Sequence, residues 1–197
     1  MAEQSEQSEL ETITLPHLEN YPVYVALFKH VKNAAFLREQ LLQGNSAFEY
    51  AFLDASMIVS RSHLLASCFK AVNDLANDRL KTRNVHSEIV FSLSPNNNIA
   101  ESFRRFGLSA ESTHIIAIKV ATTPDVAKDK VYSHLLENVD GTASVLTDSD
   151  LLDMRDLARL RKVYKFEMKT DPKTRATSFD ETQILSTVIG SIALRGV

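Results

Sequence analysis

A chain of 197 residues with 44% apolar content has about the length of one domain and enough core material to pack it. Its formal charge of -3 argues against a wholesale polyanion binder and leaves room for a local basic patch. The lone cysteine, Cys68, excludes an intramolecular disulfide. No apolar run approaches the ~20 residues of a membrane span, and the acidic N-terminus is unlike a signal or transit peptide, so the expected setting is nucleus and cytoplasm with no membrane.

Residues 1–10 are rich in Glu, Gln and Ser and have little to bury, which predicts a disordered acidic tail ahead of one domain over 11–197. Strands are expected at Thr12–Leu15 and Pro22–Phe28, where residues suited to a pleated, buried surface cluster. Asn33 then caps a helix through AAFLREQLLQ, with Phe36, Leu37 and Leu41 on one face and Gly44 at its end. Phe48, Tyr50 and Phe52 alternate as in a short strand that stops at the Asp54 turn. From Ser60 to about Leu80, Leu64, Leu65, Cys68, Phe69, Val72, Leu75 and Ala76 recur at helical spacing, so this is a core helix. Within it Cys68 reads as a small buried hydrophobe and His63 as a satisfied histidine.

Glu88–Leu93 reads as a strand, Asn98–Phe106 as a helix and His114–Val120 as a central strand. Helices are expected at Val126–Glu137, Ser149–Arg161 and Glu181–Leu194, with a loop around Gly141. The fold class is therefore α/β: a compact single domain with a small mixed or antiparallel sheet packed by several helices.

The densest polar punctuation runs from Lys81 to Ser109. Ser94-Pro95 ends the preceding element, because proline cannot donate to a ladder and restricts the residue before it. Asn98 with Glu101 three residues on is a helix start related to the capping box. That leaves Asn96 and Asn97 either to complete a tight turn or to present amides to a partner. Arg104 and Arg105 suit a helix C-terminus, where Gly107 can take a left-handed closing position, and they equally suit a phosphate. Lys81 and Arg83 carry the same two readings. Cations beside asparagine amides fit a sugar-phosphate backbone and base edges.

A second basic run, Arg155, Arg159, Arg161, Lys162 and Lys165, interleaves with Tyr164 and Phe166 and reads as a solvated helix face or as a stacking surface for RNA. In the last helix, Ile184, Leu185, Val188, Ile192 and Leu194 outnumber what one buried face needs. Ile184, Val188, Ile192 and Leu194 are accordingly candidate anchors for a partner groove, against the plainer reading as core.

Signs of catalysis are missing from the sequence. Gly44, Gly107, Gly141, Gly190 and Gly196 are too scattered for a phosphate or dinucleotide loop, the six histidines lack metal spacing, and Ser94 and Ser109 sit in no nucleophile elbow. No cofactor or metal is expected, and no catalytic residue is assigned.

The motifs ALFKHVKNAAFLREQL (26–41), KTRN, SEIVFSLSPNNNI, RFGLS, RKVYKF and the terminal ALRGV closely resemble those of the PRPK-binding protein family, the small kinase-binding subunit of the KEOPS (EKC) complex, in a fungal-type version. The resemblance spans the chain after the tail and thins over residues 121–150. It implies a noncatalytic α/β subunit bound to a small atypical kinase-ATPase, in a complex that makes threonylcarbamoyladenosine beside the tRNA anticodon. It also implies recruitment of tRNA through its 3′ end, and links to telomere maintenance and transcription. Lys81, Arg83, Asn96, Asn97, Arg104 and Arg105 are then the expected tRNA patch. A purely structural regulator of the kinase without direct tRNA contact is the alternative.

Overall fold

The computed structural model describes residues 9–167, 169–170, 177–178 and 180–195. At its centre lies β2 (Val23–Lys29), whose first six residues are all buried. A strand covered on both faces needs apolar side chains at every position, which is why VYVALF shows no polar alternation.

One edge of β2 pairs antiparallel along its length with β4 (Ile115–Val120), and β4 pairs in turn with β3 (Ala51–Asp54). The other edge of β2 is shared. β1 (Glu11–Ile13) pairs with Val23–Val25, and β5 (Thr142–Ser144) pairs with Leu27–Lys29. The result is a five-stranded antiparallel sheet.

The pleat divides the core in two. Val23, Val25 and Leu27, with Leu53, Ile116 and Ile118, face helices α2 (Arg61–Ala76), α3 (Val85–Leu93), α6 (Asp148–Met154), α7 (Leu157–Tyr164) and α8 (Glu181–Ala193). Tyr24, Ala26 and Phe28, with Tyr50, Phe52 and Ile115, face α1 (Ala34–Leu42) and α5 (Lys128–Asn138). Helix α4 (Ile99–Phe106) packs beside α3 and sends Phe106 into the first cluster. A two-residue pairing of β6 (Lys169–Thr170) with β7 (Thr177–Ser178) precedes α8. The structure is thus a compact α/β domain, as the pattern of elements predicts.

Several local expectations are corrected. The strand expected at Glu88–Leu93 is the helix α3. Asn84 caps it by accepting the Ser87 N–H at 2.8 Å, and eight of its nine residues are buried, so no polar face marks its helical period. The helix expected at Ser149–Arg161 is two helices, because Asp156 caps α7 by accepting the Arg159 N–H and also gives its own N–H to Ser56 O. The loop around Gly141 contains β5, and the Phe48–Phe52 alternation resolves into a short 3₁₀ turn, Ser46–Phe48, followed by β3.

Residues 1–8 of the expected tail lie outside the described residues, but Leu10 is fully buried, so the folded part starts before Glu11. Gly44 has φ +68° and closes α1 as expected. Gly107 instead has φ -73° and an extended ψ. It is required by close approach, since a Cβ there would stand 2.6 Å from Phe103 O.

His63 and Cys68 are both fully buried in α2. His63 Nδ1 accepts the Val59 N–H, so the ring proton sits on Nε2 and is donated to Tyr164 Oη at 2.9 Å, while Tyr164 donates onward to Leu93 O. Every polar atom of this relay is satisfied, and it ties α2, α7 and α3 together. Burial pushes the His63 pKa down to about 3 and the Cys68 thiol up to about 12. These are structural roles.

Candidate functional site

Among the described residues, two concavities bear on function. The first, of about 610 Å³, opens between the C-terminal end of α1, residues 44–50, the start of α3, and α4 with the turn after it. Arg38, Arg83 and Arg104 give it cations, and Phe48, Tyr50 and Phe103 give it aromatic walls. The Arg83 guanidinium passes close over Gly44, 3.4 Å from where a Cβ would stand.

On its inner side, His86 is 4% exposed. Its Nε2 accepts the Val120 N–H at 3.0 Å, which puts the ring proton on Nδ1, 3.7 Å from Glu49 Oε1 and outside hydrogen-bond reach. Burial keeps the imidazole pKa below its ordinary value, and the His86 ring beside Glu49 is the main cause holding that carboxyl below the usual range. A mouth of cations, aromatic walls and an inner donor and acceptor together suit a phosphodiester chain with unstacked bases.

The six residues of the expected tRNA patch are only partly gathered here. Arg83 and Arg104 line this cleft. Arg104 is largely exposed, forked by Nε and Nη2 onto Glu101, which also takes Arg105 Nε at 2.6 Å. The Arg104 contact is the main reason the Glu101 carboxyl sits below its ordinary pKa. The two arginines therefore share one carboxylate, Arg104 on Oε2 and Arg105 on Oε1.

Asn98 accepts the Glu101 N–H at 3.0 Å, as the cap pattern predicts. Asn96 Oδ1 is occupied by the Asn98 N–H at 2.6 Å, the turn-forming reading of that residue, whereas the exposed Asn97 side chain makes no hydrogen bond among the described residues. Lys81 lies in the other concavity. Its loop is fixed by the buried Glu88 carboxylate, which accepts from Lys81 N, Thr82 N and Thr82 Oγ1 at 2.7–3.0 Å. Arg38, Phe48, Glu49, His86 and Phe103 carry no local signal of a shared site. They meet only through the fold.

That second concavity, of about 520 Å³, runs between α2 and α8, with Phe69, Lys70, Ile189, Ile192, Lys81 and Arg195 on its walls. Of the expected kinase anchors, Ile184, Val188 and Ile192 are at most 3% exposed, Ile184 and Val188 in the first core and Ile192 at the floor of this groove, which favours the core reading of these three. Leu194 is 73% exposed, and Phe69 on α2 is 41% exposed. For the second basic run the stacking reading fails and the solvated-face reading stands, with Arg161, Lys162 and Lys165 exposed. Arg155 is paired bidentately with Glu181, Arg159 bonds Asp54 and Ser56, and Tyr164 and Phe166 are buried where no base can stack. Among the described residues no group of His, Cys, Asp and Glu is placed to hold a metal, and no helix is long and apolar enough to cross a membrane.

The class of protein is given by a family model, "Kinase binding protein CGI-121", that matches residues 28–196 of this α/β domain. The chain belongs to this family, in agreement with the motif resemblance. It is 50% identical to the EKC/KEOPS complex subunit cgi121 of Aspergillus terreus, over 96% of this chain and 98% of that protein. It is 53% identical to the Coccidioides immitis subunit CGI121, over 80% of this chain and 76% of that one, and 31% identical to the Schizosaccharomyces pombe subunit, over 92% and 98%.

Proposed function

We propose that this chain is the noncatalytic subunit of an EKC/KEOPS complex that binds and regulates the small atypical kinase-ATPase and helps bring tRNA to it by the 3′ end for threonylcarbamoyladenosine modification. The observation that carries the tRNA half is the 610 Å³ cleft with Arg38, Arg83 and Arg104 around Phe48, Tyr50 and Phe103. Unpaired bases and their phosphates match such a surface better than the narrow groove of an A-form duplex does. For the kinase half, the exposed α2–α8 face with Phe69 and Leu194 replaces the buried side of α8 as the docking surface. Work in nucleus and cytoplasm, with links to telomere maintenance and transcription, goes with membership of that complex.

The test is a charge reversal, Arg83→Glu with Arg104→Glu, measured by tRNA affinity over a salt series. Affinity falls, and the slope of log affinity against log salt flattens by about 1.4, at ~0.7 per phosphate contact on a single strand. The native chain, in turn, loses affinity for tRNA trimmed of its terminal nucleotides. Unchanged affinity and slope with a native circular dichroism spectrum, or equal binding of intact and trimmed tRNA, would favour a purely structural regulator of the kinase.

A further inference from the structure

Arg195 is a cation buried to 7% exposure just past the end of α8. Its Nη1 donates to Phe91 O and Ser94 O, its Nη2 donates to Asn96 O at 2.7 Å, and its guanidinium lies 3.6 Å above the Phe91 ring. The three carbonyls belong to the C-terminal end of α3 and the turn leaving it, where the helix dipole and spare acceptor lone pairs favour a cation, Phe91 O taking the Ser94 N–H as well. Burial lowers the Arg195 pKa and the charge of Glu88 opposes that shift. The bonds are split between two nitrogens of one plane that also stacks on Phe91, a geometry that the single nitrogen of a lysine does not reproduce.

The connections on either side of this residue are continuous. Upstream, Leu194 lies exposed beside the α2–α8 groove, whose wall includes Arg195 itself. Downstream, Asn96 is pinned at its carbonyl by Arg195 and at its Oδ1 by the Asn98 N–H, and Asn98 caps α4. Helix α4 then carries Phe103 and Arg104 into the first cleft.

We infer that Arg195 is a positioning residue that couples the two surfaces: it already sits in its carbonyl cradle in the free chain, and a partner seated on the end of α8 shields that cradle, steadies the Asn96–Asn98 turn, and so presets α4 for RNA. This rests on the kinase and tRNA reading proposed above. Because linkage is reciprocal, RNA in the cleft strengthens partner binding by the same factor.

The experiment compares tRNA affinity of the full chain, free and saturated with its kinase subunit, for the native sequence and for Arg195→Lys, with the kinase alone as control. Hydrogen exchange of the Asn98 amide is followed in the same four states. The native chain gains about fivefold or more in tRNA affinity on kinase saturation, within the usual range of such couplings, and its Asn98 amide becomes better protected. Arg195→Lys keeps its fold by circular dichroism and, at kinase concentrations set to saturate it from its own separately measured affinity, shows a ratio near one and no added protection. A native chain whose tRNA affinity and Asn98 exchange ignore the kinase overturns the coupling while leaving the two surfaces standing, and so does a lysine variant that couples like the native chain. A native chain that binds no tRNA in either state overturns the underlying reading instead.

Discussion

Replacing Tyr164 with Phe removes one hydroxyl and nothing else of size, so its cost can be worked from the relay. That hydroxyl accepts from His63 Nε2 at 2.9 Å and donates to Leu93 O at 2.5 Å, with His63 fully buried and Tyr164 nearly so. Removing it leaves a buried ring N–H and a buried carbonyl without partners. Each such orphan costs about 1–3 kcal/mol, and the apolar phenyl ring fills the same space, so the expected loss is roughly 2–4 kcal/mol. That is a large share of a stability of about 5–15 kcal/mol. At about 2–4 °C per kcal/mol for a domain of this size, the melting point falls by roughly 5–15 °C. Urea unfolding of both proteins supplies the measurement, read as a shift in midpoint at unchanged slope. A loss below about 0.5 kcal/mol would refute the claim that the buried polar atoms of the relay depend on one another for their hydrogen bonds. Partner binding well below the melting point stays native, since neither groove includes Tyr164.

Leu194→Glu or Phe69→Glu should abolish kinase pull-down at a native melting temperature, whereas Val188→Glu should cost several kcal/mol of stability by burying a charge among Leu64, Cys68 and their neighbours. Retained pull-down in both surface variants would move the kinase interface elsewhere. His63 makes stability depend on acid. Its folded pKa, about 3, lies below the ordinary 6.5, so the unfolded chain binds more protons between those values. The His63 contribution is complete above about pH 6.5 and shrinks as pH falls. At pH 5 about 2 kcal/mol is lost, checked by urea midpoints at pH 7 and pH 5 in the native chain and in a His63→Gln variant, where the histidine component vanishes.

What could be read in the sequence depended on the reach of each interaction. The Asn98 cap of α4 and the Gly44 closure of α1 are decided within four residues, and both were legible. The buried character of α8 was legible as a stripe, but nothing local says which of its two apolar flanks meets the core. There Ile184, Val188 and Ile192 went inward and left Leu194 outside. Helix α3 was misread because burial on all sides erased the polar face that would have marked its period, while its Asn84 cap lies outside the apolar run. The first cleft was half legible. Arg83 and Arg104 stood out as cations beside polar turns, whereas Arg38, Phe48, Glu49 and His86 are distant in sequence and acquire a common purpose only when β3 and β4 pair and bring α1 near α3. Arg195 was visible only as a letter of a family motif, since its three acceptors lie about a hundred residues upstream.

The shared edge of β2 has a bearing on how this protein tolerates shortening. Three residues of β1 cover one half of that edge and three of β5 the other, with Ala26 at the seam. Each guard strand is too short to template a neighbouring molecule, which keeps the sheet from growing sideways. Shortening the chain past Ile13 would bare one edge of Val23–Val25, a buried and largely apolar stretch, with open amides and carbonyls, and would also remove Leu10 from the second core. Such a chain would gain an adhesive strand rather than merely lose a loose end, and would tend to self-associate through added strands.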